Sequence, residues 1–175
     1  MRATATRRAS ATAGTAVFLV VVPGSVAGVV PWWLTGWRSG AADHPFPVRV
    51  LGVVLVAAGA GVLLHAFASF VIEGLGTPAP PAPTERLVIG GLYRYIRNPM
   101  YLAVLIVIIG QELLLARPVL FAYAAAVAAA VVSFVYGYEQ PTLTRRYGEQ
   151  YEHYRRDVPA WWPRFRRGRS RSARD

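Results

Sequence analysis

Four stretches of this chain are too apolar and too free of charge to lie in a water-soluble domain of 175 residues. The first covers 9–37, with its apolar centre at 17–34. The second covers 50–72 and is interrupted only by His65 and Ser69. The third, 99–116, carries a single charge at Glu112, and the fourth, 118–138, carries none. Each has the roughly 17–25 residues that a helix needs to cross a hydrocarbon core. The runs are continuously apolar and show no alternation with period two, so they predict helices and not barrel strands. Composition agrees: 54% of residues are hydrophobic and 16% charged, against about 45–50% and about 25% in soluble domains. The expected fold is all-α: a polytopic membrane protein with four transmembrane helices at about 14–36, 50–72, 99–116 and 118–138. Only Arg117 parts the last two, which predicts a tight antiparallel hairpin.

The formal charge is +10, and every basic residue is arginine. Four spans put the N-terminal segment, the 73–98 loop and everything after 138 on one side. That side carries sixteen of the 19 arginines, and the other carries only Arg38, Arg49 and Arg117. Positive charge marks the cytoplasmic side, so both termini are expected there, in a multi-pass protein of a bacterial plasma membrane. Trp32, Trp33 and Trp37 would form the outer aromatic belt, with Trp161 and Trp162 near the inner interface. Residues 16–22 followed by Ser25-Val26-Ala27 also have the form of a signal peptide cleaved after Ala27. The apolar run continues to Leu34, which favours an uncleaved helix.

The charge lies between apolar stretches and not along one face, so nucleic acid is not the expected partner. Without cysteine there is no disulfide, thiolate zinc site or cysteine nucleophile. The three histidines, His44, His65 and His153, stand at no ligand spacing, so no metal is expected.

Two polar stretches, 73–101 and 139–163, hold the remaining information. Prolines at 78, 80, 81 and 83 forbid a helix and favour extended backbone, either a stiff linker or a lid. Gly90 and Gly91 permit a turn or a close approach. Asn98-Pro99 reads as an N-cap followed by proline at the first helical position. With Arg94 and Arg97 beside it, this helix start could hold an anionic group, or its arginines could meet lipid phosphates. Pro141 is expected to begin a separate amphipathic surface helix in which Leu143, Tyr147, Tyr151, Tyr154 and Val158 share one face. That helix alone is accounted for by anionic lipid. Glu139, a carboxylate at the membrane boundary, is a functional candidate. Glu112 and His65 are weaker ones that pairing within the bundle would explain. Residues 164–175 form a basic tail, expected to be an unstructured anchor to lipid headgroups. Alanines at 124–126 and 128–130 would permit close helix packing, either within the chain or between chains.

The polar stretches resemble the isoprenylcysteine carboxyl methyltransferase-like family of integral membrane methyltransferases. Three blocks carry the resemblance across 73–163: Gly74-x-Gly-Thr-Pro-Ala-Pro80; Leu87-Val-x-x-Gly-x-Tyr-Arg-Tyr-x-Arg-Asn-Pro-Met-Tyr101; and Glu139-x-x-x-Leu143 through Tyr147-Gly-x-x-Tyr151-x-x-Tyr154 to Val158-Pro159. The resemblance implies S-adenosylmethionine as cofactor and a lipidic or prenylated acceptor. It also implies a pocket built from the hairpin of spans three and four, with 139–163 covering the cofactor on the cytoplasmic side. On that reading Glu139 and Arg97 are catalytic, and Gly91, Tyr93, Asn98, Pro99, Tyr101, Leu102, Tyr151 and Tyr154 bind cofactor. The chain departs from the better-known members by having Asn98 where they have histidine and Gln140 where they have a second glutamate. Two other readings remain: a membrane reductase of similar architecture using a nicotinamide cofactor, and a non-enzymatic helical bundle.

Overall fold

The computed structural model describes residues 17, 21–40, 43–69, 72 and 87–163. The described residues form helices and no strand. In chain order these are α1 (Val21–Thr35), α2 (Phe46–Ser69), α3 (Pro99–Leu115), α4 (Val119–Phe134), α5 (Gln140–Tyr147) and α6 (Glu149–Asp157). The start of the first predicted span, the Gly74–Pro80 block and the basic tail lie outside the described residues. Two helices are long and apolar enough to cross a membrane, α2 and the 29-residue run Val119–Tyr147, while α1 and α3 are shorter apolar helices. On α2, Leu51, Val53, Val54 and Leu64 are all at least half exposed. An outward-facing apolar surface of this kind suits lipid and not water.

Prolines set the helix geometry. Pro99 opens α3 and Pro118 immediately precedes α4, positions where a missing N–H costs nothing. Pro31 and Pro141 lie within continuing helices. Each is preceded by a π turn ending two residues earlier, Ser25–Val29 in one case and Val135–Glu139 in the other. A wider turn relieves the clash of the proline ring with the carbonyl one turn back. It leaves carbonyls without a backbone donor, and around Pro31 two side chains satisfy them. Gln111 Nε2 donates to the Ala27 carbonyl at 2.6 Å, and the Tyr123 hydroxyl donates to the Val26 carbonyl at 2.9 Å. These bonds tie α1 to α3 and α4.

Pro141 therefore does not start a separate surface helix, contrary to the expectation from sequence. The helix runs on from α4 through the π turn into α5, and the break comes later, at Gly148 (φ 53°, ψ −129°). Only a residue without Cβ adopts that conformation readily. The expected single amphipathic helix is thus two short ones, with Tyr151 and Val158 buried and Leu143, Tyr147 and Tyr154 half-buried.

Within the chain, close packing falls mainly outside the alanine run. Ala124 is buried, but Ala125, Ala126, Ala129 and Ala130 are exposed. α2 and α3 approach each other closely through glycines. A Cβ on Gly52 would lie 2.8 Å from the Gly110 carbonyl, and one on Gly59 would lie 2.7 Å from Val107 Cγ2. The missing side chains let the two backbones touch. The α3–α4 turn is tight as expected, with Ala116 in the left-handed region (φ 50°). The α1–α2 connection is fastened to it: Gly40 N–H donates to the Leu115 carbonyl at 2.7 Å, and Arg117 Nε to the Arg38 carbonyl at 3.0 Å. Beneath this end Glu112 is fully buried and meets His44 Nε2 at 3.3 Å, so it pairs within the bundle.

Replacing Gly52 by Leu should destabilise the bundle by about 1–3 kcal/mol through overpacking. Gly61→Leu, where nothing lies within 4 Å of the added Cβ, should stay within about 0.5 kcal/mol. Thermal unfolding of the two variants in detergent checks the difference.

Candidate functional site

At the end of the bundle opposite Glu112, the two polar stretches meet. The path begins at Gly90-Gly91, where the chain turns into the short 3₁₀ segment Gly91–Arg94. Gly91 has φ +52°, and a Cβ there would lie 3.0 Å from both His65 Nε2 and Ser69 Oγ of α2. Glycine thus lets the loop rest on the end of α2. Val88 and Tyr93 then pack with Ala66 in a small apolar cluster, against which Met100 also lies.

The chain next reaches Arg97, Asn98 and Pro99. Asn98 precedes the helix as expected and is buried, but its side chain makes no cap hydrogen bond. The predicted side-chain cap is not formed. Its carbonyl accepts from the Leu102 N–H at 3.3 Å. Proline at the first position lowers the need for a cap, because it removes one of the donors a cap would serve.

From this helix start Tyr101 reaches across to α4, and its hydroxyl donates to Glu139 Oε2 at 2.8 Å. Glu139 is the last residue of the π turn before Pro141. The extra residue in that turn resets the side-chain register and directs Glu139 toward α3. Arg97 Nη1 donates to the Tyr151 hydroxyl of α6 at 3.3 Å. Arg97 N–H donates to the Pro159 carbonyl at 3.0 Å, and the Tyr154 hydroxyl donates to the Tyr93 carbonyl at 2.6 Å. Thus α6 and the segment after it close over the foot of α3.

Seven of the expected site residues converge here: Tyr93, Arg97, Asn98, Tyr101, Glu139, Tyr151 and Tyr154. Pro99 is buried as the first residue of α3. Gly91 acts through its contact with α2, and Leu102 is half-buried beside Tyr101. Sequence reasoning missed the Pro159 carbonyl and the His65–Ser69 seat of Gly91. Proline at 159 was visible in the third block, but a backbone acceptor has no residue-type signature. His65 is therefore explained by a packing contact as well as by the weaker functional reading.

Arg97 Nε is buried without a hydrogen-bond partner among the described residues, as is Gln140 Nε2. A buried guanidinium N–H left unused is costly, and an anionic group would satisfy it. Glu139 beside it offers a carboxylate to a cation or a proton. No group of three or more His, Cys, Asp or Glu that could hold a metal ion occurs among the described residues. The cluster therefore offers a buried guanidinium donor and a carboxylate side by side.

Comparison with known families narrows this to a class, the membrane methyltransferases. Residues 48–150 match the phospholipid methyltransferase family. That is more than half of the chain, and the chain belongs to this family, which also takes in the isoprenylcysteine carboxyl methyltransferases. The match spans α2 through α5 and so includes Arg97, Tyr101 and Glu139. It favours a methyltransferase over the reductase and non-enzymatic readings. No curated protein and no solved structure matches the chain.

Burial pushes the Tyr154 hydroxyl above the usual tyrosine range, against an opposing effect of the Arg97 charge. Burial likewise raises Tyr93, with Tyr154 and Glu139 adding to the effect. Unfolded tyrosines ionise near pH 10, whereas these stay protonated in the fold. Their contribution is complete below that pH, and the unfolded state binds fewer protons above it, so stability should fall as pH rises past 10. Tyr154→Phe should flatten the fall. Unfolding midpoints between pH 8 and about 11 measure both.

Proposed function

We propose that this protein transfers a methyl group from S-adenosylmethionine to a lipidic or lipid-attached acceptor at the cytoplasmic face of a membrane. In this reading the chain crosses the bilayer four times, with α1 and α3 as spans beside α2 and α4, and both termini are cytoplasmic. Residues 139–163 cover the cofactor. The observation that carries the reading is the meeting of Arg97, with its unused buried Nε, and the Tyr101–Glu139 pair at one end of the bundle.

The residues present fit the cofactor. Arg97 Nε would take its carboxylate through a charge-assisted hydrogen bond. Glu139 would take its ammonium or ribose hydroxyls. Tyr151 or Tyr154 would stack on adenine or face the sulfonium, a contact worth on the order of 0.5–2 kcal/mol. When bound, S-adenosylmethionine supplies an electrophilic methyl carbon with a good leaving group. This chain's residues contribute alignment and exclusion of water, the main sources of rate for an in-line displacement.

An amine acceptor would take the methyl group on its nitrogen lone pair, with the cofactor held by Arg97 and Glu139 supplying that group. The ammonium acceptor must first lose a proton, and Glu139 is the base at hand. A carboxylate acceptor would need no such base. Tyr101 holds the Glu139 carboxylate in place.

Glu139→Gln should lower turnover of an amine acceptor by about 100-fold or more, with smaller loss of affinity for labelled S-adenosylmethionine. Unchanged turnover would remove Glu139 from catalysis. Binding of a nicotinamide nucleotide but not of S-adenosylmethionine by the purified chain would contradict the whole reading.

A further inference from the structure

A second polar feature lies round the helix from Glu139, in a groove of about 450 Å³ between α5 and α6. Its walls include Tyr136, Gln140, Thr144, Arg145, Glu152 and Arg155. We propose that this groove binds the phosphate group of a membrane phospholipid, independently of methyl transfer. The charge inventory points to an anion. The one carboxylate in the wall is already engaged on both oxygens: Glu152 Oε1 accepts from the Thr144 hydroxyl at 3.0 Å, and Oε2 meets Arg155 Nη2 at 2.9 Å. What remains open are donors. Gln140 is 8% exposed, and its Nε2 is buried without a hydrogen-bond partner among the described residues. Arg145, five residues further on, also lines the groove and is exposed. An acid already satisfied, beside a buried amide donor without a partner and an exposed guanidinium, is a receptor for phosphate oxygens.

The level of the groove selects a lipid source. Tyr136 lies at the foot of α4, and its hydroxyl accepts from Trp161 Nε1 at 3.2 Å. Tyrosine and tryptophan with a polar end exposed and a ring against apolar surface mark headgroup depth. Tyr136 and Tyr138 are each about half exposed, and Trp162 is 81% exposed. A phospholipid beside α4 would bring its phosphate to Arg145 without leaving the bilayer. Position 140 also acquires a role that its neighbour does not share, because Glu139 reaches α3 whereas Gln140 lines this groove.

The test uses the full chain purified in a neutral detergent. Phosphatidylglycerol, and diacylglycerol with the same acyl chains, are titrated in mixed micelles while Trp fluorescence is recorded. Phosphatidylglycerol should bind at least about tenfold tighter than diacylglycerol, and Arg145→Gln should remove that preference while Arg145→Lys retains part of it. The melting temperature without lipid should be unchanged in Arg145→Gln, since the exposed side chain has no hydrogen bond or ion pair to lose among the described residues. Equal binding of the two lipids, or a preference that survives Arg145→Gln, overturns the proposal. Inorganic phosphate that binds as tightly as the lipid would identify a soluble anion and overturn the lipid assignment. If Arg145→Gln instead weakens binding of S-adenosylmethionine, the groove belongs to the cofactor and the proposal fails, while the methyltransferase reading stands.

Discussion

The missing N–H of Pro141 governs this structure. A proline inside a helix takes away a donor and crowds the carbonyl one turn earlier, and the chain answers with the π turn Val135–Glu139. That turn holds one more residue than an α-helical turn would, so side chains on either side of it fall out of the register that sequence spacing suggests. Glu139 consequently faces Tyr101, and Gln140 faces away toward α6. Pro31 repeats the arrangement at the other end of the bundle. There the carbonyls that lack backbone donors become anchors for Gln111 and Tyr123. In an apolar surround each such carbonyl needs a partner, and the partners it finds are the bonds that join the helices.

A second constraint fixes where the α3 end of the site stands. α2 and α3 approach through Gly52, Gly59 and Gly110, and Gly91 seats the preceding loop on His65 and Ser69 of α2. The helix start at Pro99 is therefore held from below by backbone contact and from above by the Arg97–Pro159 and Tyr154–Tyr93 bonds. Arg97 is gripped through its backbone and one guanidinium nitrogen, leaving Nε available. A side chain held in this way binds a ligand with little further loss of freedom.

Much of this was legible in the sequence, for identifiable reasons. Apolar runs located α2, α3 and α4 because a long uncharged stretch satisfies its backbone as a helix wherever water is excluded. Pro99 marked the start of α3 because proline is favoured at a helix start, where its missing N–H has no cost. The motif blocks named Arg97, Tyr101, Glu139, Tyr151 and Tyr154, and the fold brings them to one place. The misreadings share a cause: one residue type can serve two structures. Proline at 141 reads equally as a helix start or as a π turn within a helix, and only the surrounding packing decides. Small residues permit close approach within or between chains, and within this chain the glycines of α2 and α3 make it while most of the α4 alanines face outward. Asn98 has the chemistry of a cap, yet its side chain does not form one. The pairing of Arg97 with the Pro159 carbonyl had no sequence signal, because backbone acceptors carry none.

The central claim is that residues from two distant parts of the chain form one site. Since the chain has no cysteine, a pair can be introduced at Arg97 and Tyr151 without background, and its reaction with a short bis-maleimide followed by peptide mass spectrometry. The account predicts an intramolecular link between the peptides carrying positions 97 and 151 in high yield, since the contact of their side-chain tips at 3.3 Å keeps the two backbones no more than two side-chain lengths apart, within reach of the linker. Full labelling of both cysteines with no link between them would contradict it.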